Sequence, residues 1–181
     1  LDPDDATKNY AADVVLSEDG SAACAALADE VRGRPLDGLA HRLHEVRAAT
    51  CGTLDARALR FLDAIRFAVP DDGVVVADMC IPGYWLGYRR VPAPRKLAYP
   101  MGWGTLGFGF PASIGSALAG RGPAVAVCGD GGFLFACGEL ATVKQEDVPV
   151  TVVIVDDGGY GMLRFDQESA GKEPFGVDLA R

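Results

Sequence analysis

Three apolar runs set the frame of this chain: Val74-Val75-Val76-Ala77, Ala124 to Cys128, and Val148 to Val155. None alternates apolar with polar residues. Continuous apolar runs of this length predict strands buried on both faces, as in a parallel sheet. The third run is also rich in β-branched residues, which favour strands. Helical spacing separates the runs. Leu54, Ala58, Leu62, Ile65 and Val69 repeat at intervals that place them on one helix face, with Thr53 as a candidate cap. Pro111 suits the first turn of a helix that continues from Ile114 to Gly120, and a further helix is predicted over 133–145. Pro70-Asp71-Asp72-Gly73 reads as a turn, and Asp78 ends the first strand. The alternation of strand and helix predicts an α/β, doubly wound parallel sheet with helices on both faces.

The pattern is weaker upstream. Asp13-Val14-Val15-Leu16 reads as a short strand. A helix follows, with Ser21 as its N-cap, and Gly33-Arg34-Pro35 ends it. Residues 36–52 form a mixed polar helix or linker. His41 and His44 lie there, three apart, and read as solvated surface residues.

Composition narrows the function. The chain has 181 residues, 49% of them hydrophobic, which is enough for one sizeable core. Its net charge is −8, its pI is about 4.7, and it has no basic stripe, which argues against a nucleic-acid partner. No signal peptide or membrane-length apolar run is present, so no membrane partner is expected and the chain reads as cytoplasmic. The five cysteines form no CxxC pair and no metal-ligand spacing with His. A reducing compartment without disulfides is expected, with Cys128 as a small buried thiol.

Two acidic clusters carry the chemistry. Gly129-Asp130-Gly131 follows the second apolar run. After 24 residues comes Asp156-Asp157-Gly158-Gly159-Tyr160-Gly161, behind the third. Both therefore sit at C-terminal strand ends, where open α/β sheets bind ligands. Carboxylates beside glycine-rich turns suit a hard cation that bridges to a phosphate.

This stretch resembles the diphosphate-binding motif of thiamine diphosphate (ThDP) enzymes, a Gly-Asp-Gly followed about 25 residues later by Asn-Asn. The likeness is to the acetolactate synthase-like group of 2-oxo acid decarboxylases and carboligases. Tyr99 to Gly115 is similar to the segment that receives the cofactor's aminopyrimidine ring there. Phe133 to Val143, with Glu139-Leu140-Ala141-Thr142, is similar to the helix after the Gly-Asp-Gly.

The resemblance implies a site, residue by residue. Mg²⁺ would take side-chain oxygens from Asp130 and Asp157 and the carbonyl of Gly159. The diphosphate would lie against Gly129, Gly131 and Gly132, whose amides open the helix 133–145. The backbone of Cys80 and Ile81 would contact it too, in a segment (78–85) where the family often has Gln and His instead of Ile81 and Pro82. Gly104, Thr105 and Leu106 would grip the ring half of the cofactor, with Leu106 as the wedge that bends it. Arg89, Arg90 and Arg95 lie downstream and read as a solvated face. One departure is plain: this chain has Asp156-Asp157 where the family has Asn-Asn. Carboxylate suits Mg²⁺ but adds negative charge near a diphosphate and donates no hydrogen bond.

Domain organisation follows from the same resemblance. Residues 1–32 look like the tail of a central domain, a remnant of a second α/β domain, with 33–52 a linker. Residues 53–181 look like the ThDP diphosphate-binding domain, truncated at its C-terminus, and the chain reads as a fragment. The Glu that activates the cofactor in this family would lie in the pyrimidine domain of a neighbouring chain, outside this sequence. A homodimer or homotetramer and a 2-oxo acid substrate are the implied partners. The sequence around Tyr99-Pro100 loosely resembles members that act on larger 2-oxo acids, guanidino-oxo acids included. Two alternatives stay open: a stand-alone subunit of a split decarboxylase, and a degenerate, non-catalytic binding module.

Overall fold

A computed structural model describes residues 11–16, 18–33, 36–89, 95–120 and 122–179. The central-domain resemblance of Leu1 to Tyr10, the Arg34-Pro35 helix stop, Arg90 and the last two residues lie outside these. The chain divides into two compact units, residues 1–42 and 43–181.

The first unit holds helix α1 (Gly20–Glu30) and the start of α2 (Leu39–Gly52), which runs on into the second. Asp19, not Ser21, caps α1: its carboxylate accepts from the amides of Ser21 (2.9 Å) and Ala22 (3.3 Å). Asp and Ser cap about equally well, so sequence alone could not choose between sites two residues apart. The strand expected at Asp13–Leu16 does not form; that segment has no regular structure, and Val14 is 76% exposed. Residues 39–52, read as helix or linker, are helical.

The second unit is built on a four-stranded sheet: β1 (Val74–Ala77), β2 (Lys96–Ala98), β3 (Ala124–Gly129) and β4 (Val150–Val155). All pairings are parallel, in the order β2-β1-β3-β4. Strand alternation sorts the core into two layers. Val75, Ala77 and Val127 face helices α3 (Ala56–Ala68) and α4 (Ile81–Arg89), packing on Leu62, Ile65 and Leu86. Ala126 and Cys128 face the other way, onto Phe110 and Ile114 of α5 (Gly109–Leu118), with Phe133 and Val143 beside them. Helices thus cover both faces at β1 and β3, as the apolar runs predict, but β4 is only half-buried, with Ile154 45% exposed.

Several local expectations need correction. Asp55 caps α3 by accepting from the Ala58 amide at 2.7 Å. Thr53 instead closes the previous helix, its hydroxyl donating to the Thr50 carbonyl. The single helix expected over 133–145 is two: α6 (Asp130–Leu134) and α7 (Leu140–Gln145), joined through a 3₁₀ turn at Cys137–Glu139. Phe135, Ala136 and Glu139 each donate three residues back, which tightens the chain until the α-helical ladder is lost. Arg95 is not a solvated residue. Its Nε donates to the Val69 carbonyl at 2.7 Å, and it pairs with Asp71.

The connections create one special crevice. From β1 the chain moves outward to β2; from β3 it moves outward the other way to β4. The strand order therefore reverses between β1 and β3. In open α/β sheets that switch point, at the carboxyl ends of the strands, is where ligands bind.

Candidate functional site

β1 delivers Asp78, Met79 and Cys80 to this crevice, and β3 delivers Gly129 and Asp130. A pocket opens between them. Cys80, Ile81, Leu106, Gly129, Asp130, Gly131, Gly132, Asp157 and Gly159 all line it. Gly104 and Thr105 do not. They lie in the segment leading to Leu106, where Gly104 takes a positive φ of 72° and packs against Met79. Tyr160, Met162 and Leu163 also line the pocket and were given no role from sequence, although Tyr160 lies within the second acidic cluster.

The two acidic clusters behave differently. Asp130 opens α6 at the end of β3, and its Oδ1 is buried without a hydrogen-bond partner. A buried carboxylate oxygen left unpaired is costly unless a cation or donor reaches it. Asp157 faces the same pocket. Partial burial, then the Asp130 carboxylate, push its carboxyl above the ordinary value; Arg164 and the Gly159 amide pull the other way. Asp156, by contrast, does not line the pocket. It turns back to accept from the Gly158 amide at 2.9 Å, an Asx turn that shapes the loop.

Glycines let the walls approach closely. A Cβ on Gly131 would come within 2.8 Å of the Tyr160 ring and 3.2 Å of the Gly159 carbonyl oxygen. One on Gly161 would collide with Oδ2 of Asp157. Bare backbone therefore forms the floor between the two acids. The far side is fixed by the chain's last described residues. Tyr160 donates to the Val177 carbonyl (2.8 Å) and Leu179 to that of Gly158 (2.9 Å), while Arg164 bonds Asp178 at 2.7 Å. The loop carrying Asp157 and Gly159 is thereby pinned on both sides.

The donor set is hard and oxygen-rich: two carboxylates beside a backbone carbonyl. Among the described residues no cluster of three or more His, Cys, Asp or Glu side chains could hold a metal alone. A cation here needs further oxygens from elsewhere, as Mg²⁺ bound with a phosphate ligand does. Burial pushes the Cys80 and Cys128 thiols up to about 12, so both are protonated and poor nucleophiles near neutral pH.

Comparison with known proteins agrees with this chemistry. The family model of the thiamine pyrophosphate enzyme C-terminal TPP-binding domain matches residues 80–179, more than half of the chain. A probable 2-ketoarginine decarboxylase of Pseudomonas aeruginosa is 40% identical over 136 residues, 74% of this chain and 24% of its own length. Acetolactate synthase of Bacillus subtilis is 33% identical over 126 residues, 68% of this chain and 22% of that one. The chain thus spans about a quarter of the length of these relatives. Among solved structures, a thiamine diphosphate-dependent 4-hydroxybenzoylformate decarboxylase of Rhodococcus jostii superposes with a TM-score of 0.58 at 24% identity. The match covers 68% of this chain and 24% of that one, and it shows a shared fold. No helix among the described residues is long and apolar enough to cross a membrane.

Proposed function

The chain belongs to the thiamine pyrophosphate enzymes, carrying their C-terminal TPP-binding domain, and on that premise we propose that it is the cofactor-holding part of an enzyme that decarboxylates a 2-oxo acid, ligates the resulting carbanion to an acceptor, or both. The observation that carries the reading is the unpartnered buried Oδ1 of Asp130, facing Asp157 in a glycine-floored pocket at the sheet's switch point. Mg²⁺ fits that donor set, held by Asp130, Asp157 and the Gly159 carbonyl. Gly131 and Gly132 offer bare backbone to a diphosphate, and Cys80 and Ile81 line the crevice with them. Leu106 and the Gly104-Thr105 segment before it would hold the ring half, with Leu106, which lines the pocket, as the wedge. When bound, ThDP supplies the electron sink for CO₂ loss. This chain's own residues place it and keep its charge matched.

A Glu from the pyrimidine domain of a second chain completes the site, which makes the working enzyme a homodimer or homotetramer, placed in the cytoplasm. Similarity to a probable 2-ketoarginine decarboxylase directs the first substrate assay to a guanidino-2-oxo acid beside pyruvate. Calorimetric titration with ThDP tests the cofactor reading. Binding is expected with Mg²⁺, lost in excess chelator, and lost in Asp130→Ala. Equal affinity in all three conditions would overturn it.

A further inference from the structure

Asp78 is a fully buried carboxylate that no step above uses. It stands at the end of β1, where its amide donates to the Val127 carbonyl of β3 at 2.8 Å. Its side chain gathers backbone donors. Oδ1 accepts from Met79 N at 2.7 Å and from Phe108 N at 3.3 Å; Oδ2 accepts from Gly107 N at 3.0 Å. Two of these donors lie about thirty residues downstream, directly after Leu106.

Glycine packs around this carboxylate. A Cβ on Gly109 would fall 3.0 Å from that of Asp78, and one on Gly132 would fall 3.1 Å from its Oδ2. Gly107 takes a positive φ of 81°, and a side chain there would press on Phe135. The carboxylate therefore bonds the end of β1 to the 107–108 turn, while Gly132, two residues after Asp130, packs closely against it.

We propose that Asp78 is a positioning residue that latches the 104–108 segment to the diphosphate turn and so fixes Leu106 over the pocket. Hydrogen bonds from amides to a charged acceptor are stronger than neutral ones, and burial shields them from water. A latch of this kind sets the distance between the two halves of the site without touching a ligand. The proposal rests on the cofactor reading above for what is positioned, but not for the latch itself.

Asp78→Asn tests it, because the amide keeps the shape and loses one acceptor. Whichever way it is placed, a donor faces a backbone N–H. The readout is amide exchange in the protein by NMR. Exchange at Gly107 and Phe108 is expected to rise at least tenfold more than at Ala126 and Val127, which report opening of the sheet. Affinity for ThDP at saturating Mg²⁺ should fall about tenfold, and exchange of the bound cofactor's C2 proton should slow at least tenfold. A uniform rise in exchange across all four amides would overturn the latch, as would unchanged affinity and C2 exchange. Should the variant not fold, the wild-type protein decides: Gly107 and Phe108 amides exchanging at unstructured-peptide rates would overturn it. Failure of the wild type to bind ThDP would sink the cofactor reading, and the amide pattern would still judge the latch.

Discussion

Gly131→Ala is the sharpest perturbation of the pocket floor. The new Cβ would stand 2.8 Å from two Tyr160 ring carbons. Carbon–carbon contacts are optimal at about 3.5–4.0 Å, so the ring must retreat by about 0.7 Å or more. The Tyr160 backbone cannot follow. Its N–H donates to Val177 and its carbonyl accepts from Arg164 N at 3.0 Å, so the ring itself must turn. Turning takes it off its rotamer, at about 0.5–1.5 kcal/mol. It also disturbs the edge-to-face pair with Phe135, whose centroid lies 6.3 Å away. That pairing contributes about 0.5–1.5 kcal/mol. Replacing a helical glycine returns about 0.5–1 kcal/mol. The net loss is up to about 2.5 kcal/mol, centred near 1, or a melting temperature up to about 10 °C lower. The same Cβ would press on the Gly159 carbonyl at 3.2 Å, so ThDP affinity at saturating Mg²⁺ should fall at least tenfold. Differential scanning calorimetry and calorimetric titration measure the two effects. Gly138→Ala is the control, because nothing lies within 4 Å of the added atom. A Gly131→Ala protein that melts and binds as wild type does would refute the crowding argument. A destabilised variant with unchanged affinity would keep the crowding and remove Gly159 from the ligand set.

The pair Asp157→Asn and Asp157→Ala separates charge from coordination. The Asn variant should keep ThDP binding at saturating Mg²⁺ with slightly weaker Mg²⁺ affinity, whereas Ala should lose binding; identical wild-type behaviour in both would remove Asp157 from the metal shell. Leu106→Ala should retain bound ThDP but slow exchange of its C2 proton, measured by NMR; a wild-type exchange rate would refute a role for this side chain in shaping the cofactor. Cys80 and Cys128 give a pH signature. Their folded-state values, near 12, stand above the ordinary thiol value of 9, so the stability they contribute is complete below about pH 9 and is lost as pH rises toward 12. Chemical denaturation between pH 8 and 11 should show falling stability, with a shallower fall in Cys80→Ala; equal slopes would contradict the burial account.

Three of the sheet's four strands were legible because their signal is long and redundant; the three-residue β2, exposed at one end, left no such run. Val74–Ala77 is buried on both faces, and so is most of β3, and only continuous apolar runs can serve that environment. The helix that carries Leu62 and Ile65 was legible from its own period, apolar residues recurring at helical spacing. Helix ends were not. Asp19 and Asp55, rather than Ser21 and Thr53, take the caps, since capping depends on where the chain turns and several competent side chains lie within three residues. The break between α6 and α7 was hidden too, because Phe135 and Ala136 are ordinary helix residues whose tightening is imposed by tertiary context.

The site divides along a similar line. Asp130 and Asp157 stood out because each has glycine neighbours in the chain, and that pairing leaves a local pattern; both line the pocket. Tyr160 and Asp78 left no such mark. Tyr160 matters for the Gly131 floor that its ring lies against, a contact between residues 29 positions apart that no short window contains. Asp78 reads locally as a strand terminator, and an acid after an apolar run is usually solvated there. Its meaning comes from the crossover that carries the chain out to β2 and back, returning Gly107 and Phe108 to the end of β1. Local pattern therefore marks the acids and glycines that line the pocket. The residues that hold those in register are marked only by topology, and in this fold the switch point is where the two sets converge.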